Sequence, residues 1–278
     1  MAPTTDKPAK PALSVGIGGF GAIGRAIGRK LDGGVPGLAL AAVSANRPEN
    51  AEKHLADFAR PVPVVTLAEL ADVADVIVEC APSRVFADVA EPAIQRGRIF
   101  MPLSVGALLN RLDLIERAQA TGARIIVPTG ALIGLDAVRA AAEGTIRSVT
   151  LVTRKPPAGL KGAPYLAEHD ISLEALDEPL KIFDGSARDG AKGFPANVNV
   201  AAALSLAGIG PDRTRLEIWA DPAITRNIQH VVVEADSARF EMTIENVPSS
   251  DNPRTGRITA LSVIAALRGL VSPLKVGT

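Results

Sequence analysis

The chain has 278 residues, 47% of them hydrophobic, enough for a sizeable core in one large domain or two medium ones; two is the expectation. Thirty basic residues balance thirty acidic ones, which leaves no electrostatic footprint for nucleic acid or an anionic membrane and points to a small-molecule partner. The single cysteine, Cys80, rules out an intramolecular disulfide and fits a reducing, cytoplasmic compartment, and no stretch offers the about 18 apolar residues of a membrane span.

Residues 1–11 are polar and proline-bearing and read as a flexible leader. From 12 to 135, short apolar runs alternate with helical-period stretches, the pattern of βαβ units feeding a doubly wound parallel sheet. The spacing predicts strands over 13–18, 38–44, 62–66, 76–80, 99–103 and 124–128, and helices near 22–31, 51–58, 85–96 and 108–121. Beyond a helix around 135–143 the texture changes. Strands at 148–153, 214–220, 230–235 and 239–245 suit an antiparallel or mixed sheet and define a second, α+β domain over 136–254. An alanine-rich helix spans 198–206. A last helix, 255–270, carries an apolar face of Ile258, Leu261, Ile264, Ala265 and Leu267 that is expected to dock on the first domain.

Two overlapping registers of G-x-G-x-x-G follow the first strand: Gly16, Gly18, Gly21 and Gly19, Gly21, Gly24. The second leaves a full strand before the first glycine and opens a helix with the face Ile23, Ala26, Ile27 and Leu31. In that register Gly19 makes the tight turn, Gly21 admits a pyrophosphate, and Gly24 lets helix and strand approach, with Ala22 and Ile23 at the phosphate-facing helix start. Dinucleotide binding is the function class this predicts. The second strand ends in Ser44-Ala45-Asn46-Arg47, without the acidic residue of an NAD-selective domain. Asn46 can bond a ribose, and Arg47 either meets a 2′-phosphate or is a solvated loop residue, so the expected cofactor is NAD or NADP. Cys80 and Ala81 end another strand at the crevice where such sheets bind ligands; the apolar surroundings of Cys80 favour an inert thiol over a nucleophile.

His230 stands in Arg226-Asn227-Ile228-Gln229-His230, a polar cluster leading into an apolar strand. Its imidazole is either a proton acceptor facing a cleft or a structural group bonded to a loop. His54 lies among charged residues on a helix, His169 lies in a loop-like stretch, and no histidine has metal-ligand spacing. Asn197 and Asn199 lie near the N-terminus of the apolar helix; Asn197 caps it or offers its amide to a cofactor. Arg154 and Lys155, in Thr153-Arg154-Lys155-Pro156-Pro157, suit a carboxylate-bearing substrate or are an exposed charged strand end. With Asn199, Arg226 and Asn227 they form the expected substrate-binding set.

The glycine turn, Pro128-Thr129-Gly130-Ala131-Leu132-Ile133-Gly134-Leu135-Asp136, the 153–157 segment, Phe194-Pro195-Ala196-Asn197-Val198-Asn199-Val200 and the 226–230 cluster together resemble the L-aspartate dehydrogenase family. The resemblance covers nearly the whole chain after the leader. It implies NAD- or NADP-dependent oxidation of L-aspartate to iminoaspartate, followed by release of oxaloacetate and ammonia or use in NAD biosynthesis. It further implies an active-site histidine at His230, cofactor contacts at Ala131 and Asn197, and a homodimer whose second domain is of the dihydrodipicolinate-reductase type. Two alternatives stand beside it: a related imine reductase or amino-acid dehydrogenase with another substrate, and a non-catalytic NAD(P)H sensor. The sensor would need a partner-binding module, which the sequence does not display.

Overall fold

The structure is a computed structural model that describes residues 11–195, 198–249 and 256–277. Its first half runs β1 (Leu13–Gly18), α1 (Ala22–Asp32), β2 (Leu38–Ser44), α2 (Pro48–Leu55), α3 (Leu70–Val73), β3 (Val76–Glu79), α4 (Phe86–Gln95), β4 (Ile99–Pro102), α5 (Val105–Leu109), α6 (Asp113–Thr121) and β5 (Arg124–Ile125). These five strands form one parallel sheet in the order β2-β1-β3-β4-β5. Strand order reverses beside β1, and this switch point opens a crevice at the carboxyl ends of β1 and β3. Valines and isoleucines of β1 and β3 are fully buried, as strands covered by helices on both faces require.

The strand expected at 62–66 is reduced to a single parallel bridge, Val43 to Val64. Pro61 and Pro63 lack the N–H groups a continuous ladder needs, so only the Pro63 carbonyl and the Val65 amide pair with Val43. The helix expected over 108–121 is two helices. Asn110 closes α5, and Asp113 and Glu116 place acidic side chains in the first turn of α6, where they favour a new N-terminus.

The second half contains α7 (Leu135–Ala142), β6 (Ile146–Lys155), α8 (Pro164–Glu168), β7 (Leu180–Ser186), α9 (Ala187–Gly193), α10 (Asn199–Ala207), β8 (Thr214–Ala220), β9 (Asn227–Ala235), β10 (Arg239–Asn246) and α11 (Arg257–Val271). Its mixed sheet has the order β10-β9-β6-β8-β7, with β6 and β8 parallel and the remaining pairs antiparallel. The sequence pattern did not predict β7, an edge strand whose Lys181, Asp184 and Gly185 interrupt the apolar alternation. One face of this sheet is apolar: Val149 and Leu151 of β6, and Val231 and Val233 of β9, share a core with Ala201, Ala202 and Leu204 of α10. Val263 and Leu267 of α11 belong instead to the first half's core, with Ile27 and Leu31 of α1. The chain thus returns to its first sheet after building the second.

Candidate functional site

The turn between β1 and α1 decides between the glycine registers. Gly19 has φ +101°, a left-handed conformation natural to glycine, and a Cβ there would lie 2.7 Å from the Cys80–Ala81 backbone. At Gly24 a Cβ would lie 2.1 Å from the Gly19 carbonyl oxygen, so only glycine lets α1 sit this close to the turn. A Cβ at Gly21, the N-cap of α1, would meet no protein atom within 4 Å, and no side chain caps the helix. Free first-turn amides, the positive end of an eleven-residue helix and open space in front of them fit a dinucleotide pyrophosphate.

An open cleft of about 170 Å³ runs from this helix to the second sheet. Ile23 of α1 and the segments 102–105 and 128–131 form one wall; Lys155, Asn199, Asn227, Gln229 and Asn246 stand on the other. Strand alternation selects the polar side chains. Thr153 and Lys155 on β6 and Gln229 on β9 are buried, and their neighbours Arg154 and His230 turn to the opposite face. Thr153 Oγ1 donates to Gln229 Oε1 at 2.6 Å, which leaves the NH₂ of this carboxamide as the donor for a ligand. Lys155 is 7% exposed, and burial pushes its ammonium down to about 8.

Asn246, at the end of β10, donates from Nδ2 to the Ala131 carbonyl at 3.0 Å. A carbonyl only accepts, so this bond fixes the amide's orientation and turns Oδ1 the other way. That oxygen is buried without a partner. An orphaned acceptor in a residue that lines the cleft is ready for a ligand N–H. Sequence reading missed both Asn246 and Gln229: the first closes a strand assigned one residue short, and the second stands beside the histidine that drew attention.

Of the expected substrate set, Lys155, Asn199 and Asn227 reach the cleft. Asn199 Oδ1 accepts from the Gly106 amide at 3.0 Å, tying the start of α10 to α5. Arg154 and Arg226 do not belong there. Arg154 lies over the Trp219 ring at 4.8 Å and pairs with Asp221 at 3.4 Å, and Arg226 pairs with Glu245 at 3.8 Å on the exposed side.

The expectation of an imidazole in the cleft requires the same correction. His230 is on the outer face of the second sheet, with Nδ1 2.8 Å from Thr243 Oγ1 and Nε2 3.9 Å from Glu241. The reason is the two-residue period of β9: Gln229, Val231 and Val233 pack inward, so His230 points out. His54 is on the surface 3.2 Å from Arg25 Nη1, and the ring of His169 stacks on Tyr165.

Of the expected cofactor contacts, Ile23 and Ala131 line the cleft, Gly19 abuts Cys80 and Ala81, and Asn46 and Arg47 are exposed where β2 ends. Asn197 lies outside the described residues, as does most of the leader. The Cys80 thiol packs against the first core; burial, then the Glu79 carboxylate beside it, pushes its ionisation well up, as expected of an unreactive thiol. Glu79 itself is fully buried and accepts from the Ser104 amide at 2.9 Å, the Leu103 amide at 3.2 Å and the Ser104 hydroxyl at 3.0 Å. It thereby holds the segment that forms one wall of the cleft.

A Rossmann half with a phosphate-ready glycine turn, facing a second sheet across a polar cleft, defines the class of two-domain NAD(P)-dependent dehydrogenases. Comparison with known proteins narrows the class. The family profile "Homoserine dehydrogenase, NAD binding domain" matches residues 19–128, and "Aspartate dehydrogenase, C-terminal" matches residues 136–270. An L-aspartate dehydrogenase of Bradyrhizobium diazoefficiens is 56% identical over 99% of this chain and 97% of its own. L-aspartate dehydrogenase 3 of Bordetella bronchiseptica is 53% identical, covering 96% and 98%. The crystal structure of an aspartate dehydrogenase from Thermotoga maritima superposes with a TM-score of 0.73 at 25% identity, over 95% of this chain and 99% of that one. The chain belongs to the L-aspartate dehydrogenase family. No helix among the described residues is long and apolar enough to cross a membrane.

Proposed function

We propose that this protein oxidises L-aspartate to iminoaspartate with NAD or NADP, the imine then yielding oxaloacetate and ammonia or entering pyridine nucleotide biosynthesis. One observation carries the reading: a lysine and the carboxamides of Asn199, Asn227 and Gln229 share a single cleft with the helix that follows the glycine turn. Several carboxamide donors suit the two carboxylates of a small amino acid, and an amine beside them suits its α-amino group. The similarity to L-aspartate dehydrogenases along almost the full chain supports that substrate over a cyclic imine or another amino acid.

In this reading Gly19, Gly21, Ala22, Ile23 and Gly24 hold the pyrophosphate, and Cys80 and Ala81 flank it. Asn46 and Arg47 meet the adenosine ribose; the absence of an acidic side chain in Ser44-Ala45-Asn46-Arg47 supports acceptance of NADP as well as NAD. Ala131 and Asn197 contact the cofactor, as the family resemblance implies. When bound, the nicotinamide takes up the hydride from the substrate Cα. The protein's part is to orient that carbon: Gln229 and Asn227 bond substrate oxygens, and Asn246 Oδ1 receives an N–H from the ligands. Residues 12–135 serve as the dinucleotide-binding domain and 136–254 as the substrate and dimerisation domain of a cytoplasmic homodimer.

The test is reduction of NAD and of NADP by purified protein with a panel of L-amino acids at alkaline pH. Aspartate is expected to be the preferred substrate with at least one cofactor. Turnover of another amino acid with none of aspartate would replace the substrate, and failure to bind either reduced cofactor would remove the dehydrogenase reading altogether.

A further inference from the structure

We propose that Lys155 is the proton acceptor of this reaction, and that His230 takes no part in the chemistry. The inference rests on the reading of the cleft as the aspartate site. Among the described residues that line the cleft, Lys155 is the only one with an ionisable side chain. The hydroxyls of Thr129 and Thr259 and the carboxamides of Asn199, Asn227, Gln229 and Asn246, which also line the cleft, bond and orient but do not take up a proton near neutral pH. A dehydrogenase acting on an amine needs such an acceptor, because the substrate nitrogen must lose a proton before its lone pair can form the C=N bond. The sequence offered His230 for this task, one residue away from Gln229 and therefore across the sheet.

The surroundings of Lys155 favour its neutral form. Its side chain is buried, and desolvation penalises the ammonium. Several ionisable groups among the described residues stand on neighbouring elements. Asp221, which follows β8 and donates its amide to the Lys155 carbonyl, pairs through its carboxylate with Arg154 and the Ala223 amide. Glu217 is engaged with Arg215 on the outer face, Glu79 with Leu103 and Ser104, and Arg257 of α11 is exposed. With an ammonium lowered to about 8, about half of Lys155 is neutral at pH 8, against about 0.3% for an ordinary lysine.

The step balances. Neutral Nζ takes one proton from the substrate α-ammonium, so that one N–H bond breaks and another forms. The freed lone pair makes the C=N bond as the Cα–H pair leaves as hydride to NAD(P)⁺, and the proton on Nζ later passes to solvent.

The experiment compares wild type with Lys155→Met, Lys155→Arg and His230→Ala. In wild type, kcat/KM for aspartate is expected to rise with pH through a limb near 8. Both lysine variants are expected to lose about a hundredfold or more in kcat while binding NADH or NADPH as before, and a small primary amine restores part of the Lys155→Met activity. His230→Ala stays within about threefold of wild type, as an exposed group outside the cleft should. A second readout needs no turnover: labelling of Lys155 in the wild-type protein by an amine-selective reagent, followed by mass spectrometry, has its midpoint near pH 8, and succinate protects the site.

A labelling midpoint near the ordinary 10.5 would overturn the assignment. So would a Lys155→Arg variant that keeps kcat and raises only KM, the mark of a carboxylate anchor, or a loss in His230→Ala as large as in Lys155→Met. If wild type gives no turnover with aspartate, it is the assigned reaction that fails, whereas a wild type that is active beside active lysine variants refutes only the role of Lys155.

Discussion

Replacing Gly21 by alanine separates what the glycine turn does for the fold from what it does for a ligand. Gly21 has φ −80° and ψ −158°, a backbone that alanine adopts without strain, and its added Cβ meets no protein atom within 4 Å. Alanine is a poorer N-cap than glycine by about 0.5–1 kcal/mol, but it lowers unfolded-chain entropy by a similar amount, about 0.4–1 kcal/mol, so the two nearly cancel. The melting temperature of Gly21→Ala should therefore match wild type within a degree or two. Binding should not survive as well: a methyl group in front of the helix amides displaces the pyrophosphate from one or two charge-assisted hydrogen bonds worth about 1.5–3 kcal/mol each. Fluorescence titration with NADH and NADPH should show a dissociation constant raised by about 10- to 100-fold or more. Gly24→Ala supplies the contrast. Its Cβ would lie 2.1 Å from the Gly19 carbonyl oxygen, an overlap that side-chain motion cannot relieve. It should cost about 1–3 kcal/mol of stability together with the affinity. Wild-type affinity in a stably folded Gly21→Ala would refute the placement of the phosphates at this turn.

Two further predictions concern the wall behind the cleft. Burial raises the Glu79 carboxyl above its ordinary 4.5 despite the bonds from Ser104 and Leu103, so its ionisation opposes folding. Relative to Glu79→Gln, wild-type stability should fall as pH rises from about 4.5 through the elevated folded value and then run parallel, while Glu79→Ala, which strips the Ser104 amide and hydroxyl of their acceptor, should lose about 2–4 kcal/mol at any pH. Denaturant melts at several pH values read both effects, and a wild type that gains on Glu79→Gln above about pH 5 would reverse the sign. Cys80, whose ionisation is pushed well up by burial and then by Glu79, should alkylate with iodoacetamide at about pH 8 at least about 100-fold more slowly in the native protein than in denaturant. Rapid native labelling would show that the thiol is open to solvent and more acidic than its surroundings dictate.

Much of this molecule was legible in one dimension. Apolar runs and a glycine fingerprint are local signals, since strand, turn and helix N-terminus follow one another within a dozen residues. They located β1, α1 and the glycine turn between them, although two registers fitted until the contact between Gly24 and the Gly19 carbonyl chose one. The Val231–Val233 run in β9 likewise announced a strand, and a cluster of polar residues before it announced a site.

Which of those polar residues enter the cleft was a tertiary decision. In a strand, adjacent side chains leave on opposite faces, so the choice between Gln229 and His230 depends on which face α10 covers, and α10 is far away along the chain. The same rule sends Lys155 inward and Arg154 outward, although both are cations and are neighbours in sequence. Asn246 acquires its meaning only when β10 brings it to the Ala131 carbonyl, 115 residues earlier. Residue type and spacing set out the inventory of a dinucleotide enzyme; long-range packing, by fixing the buried face of one sheet, determined which members of that inventory enter the cleft.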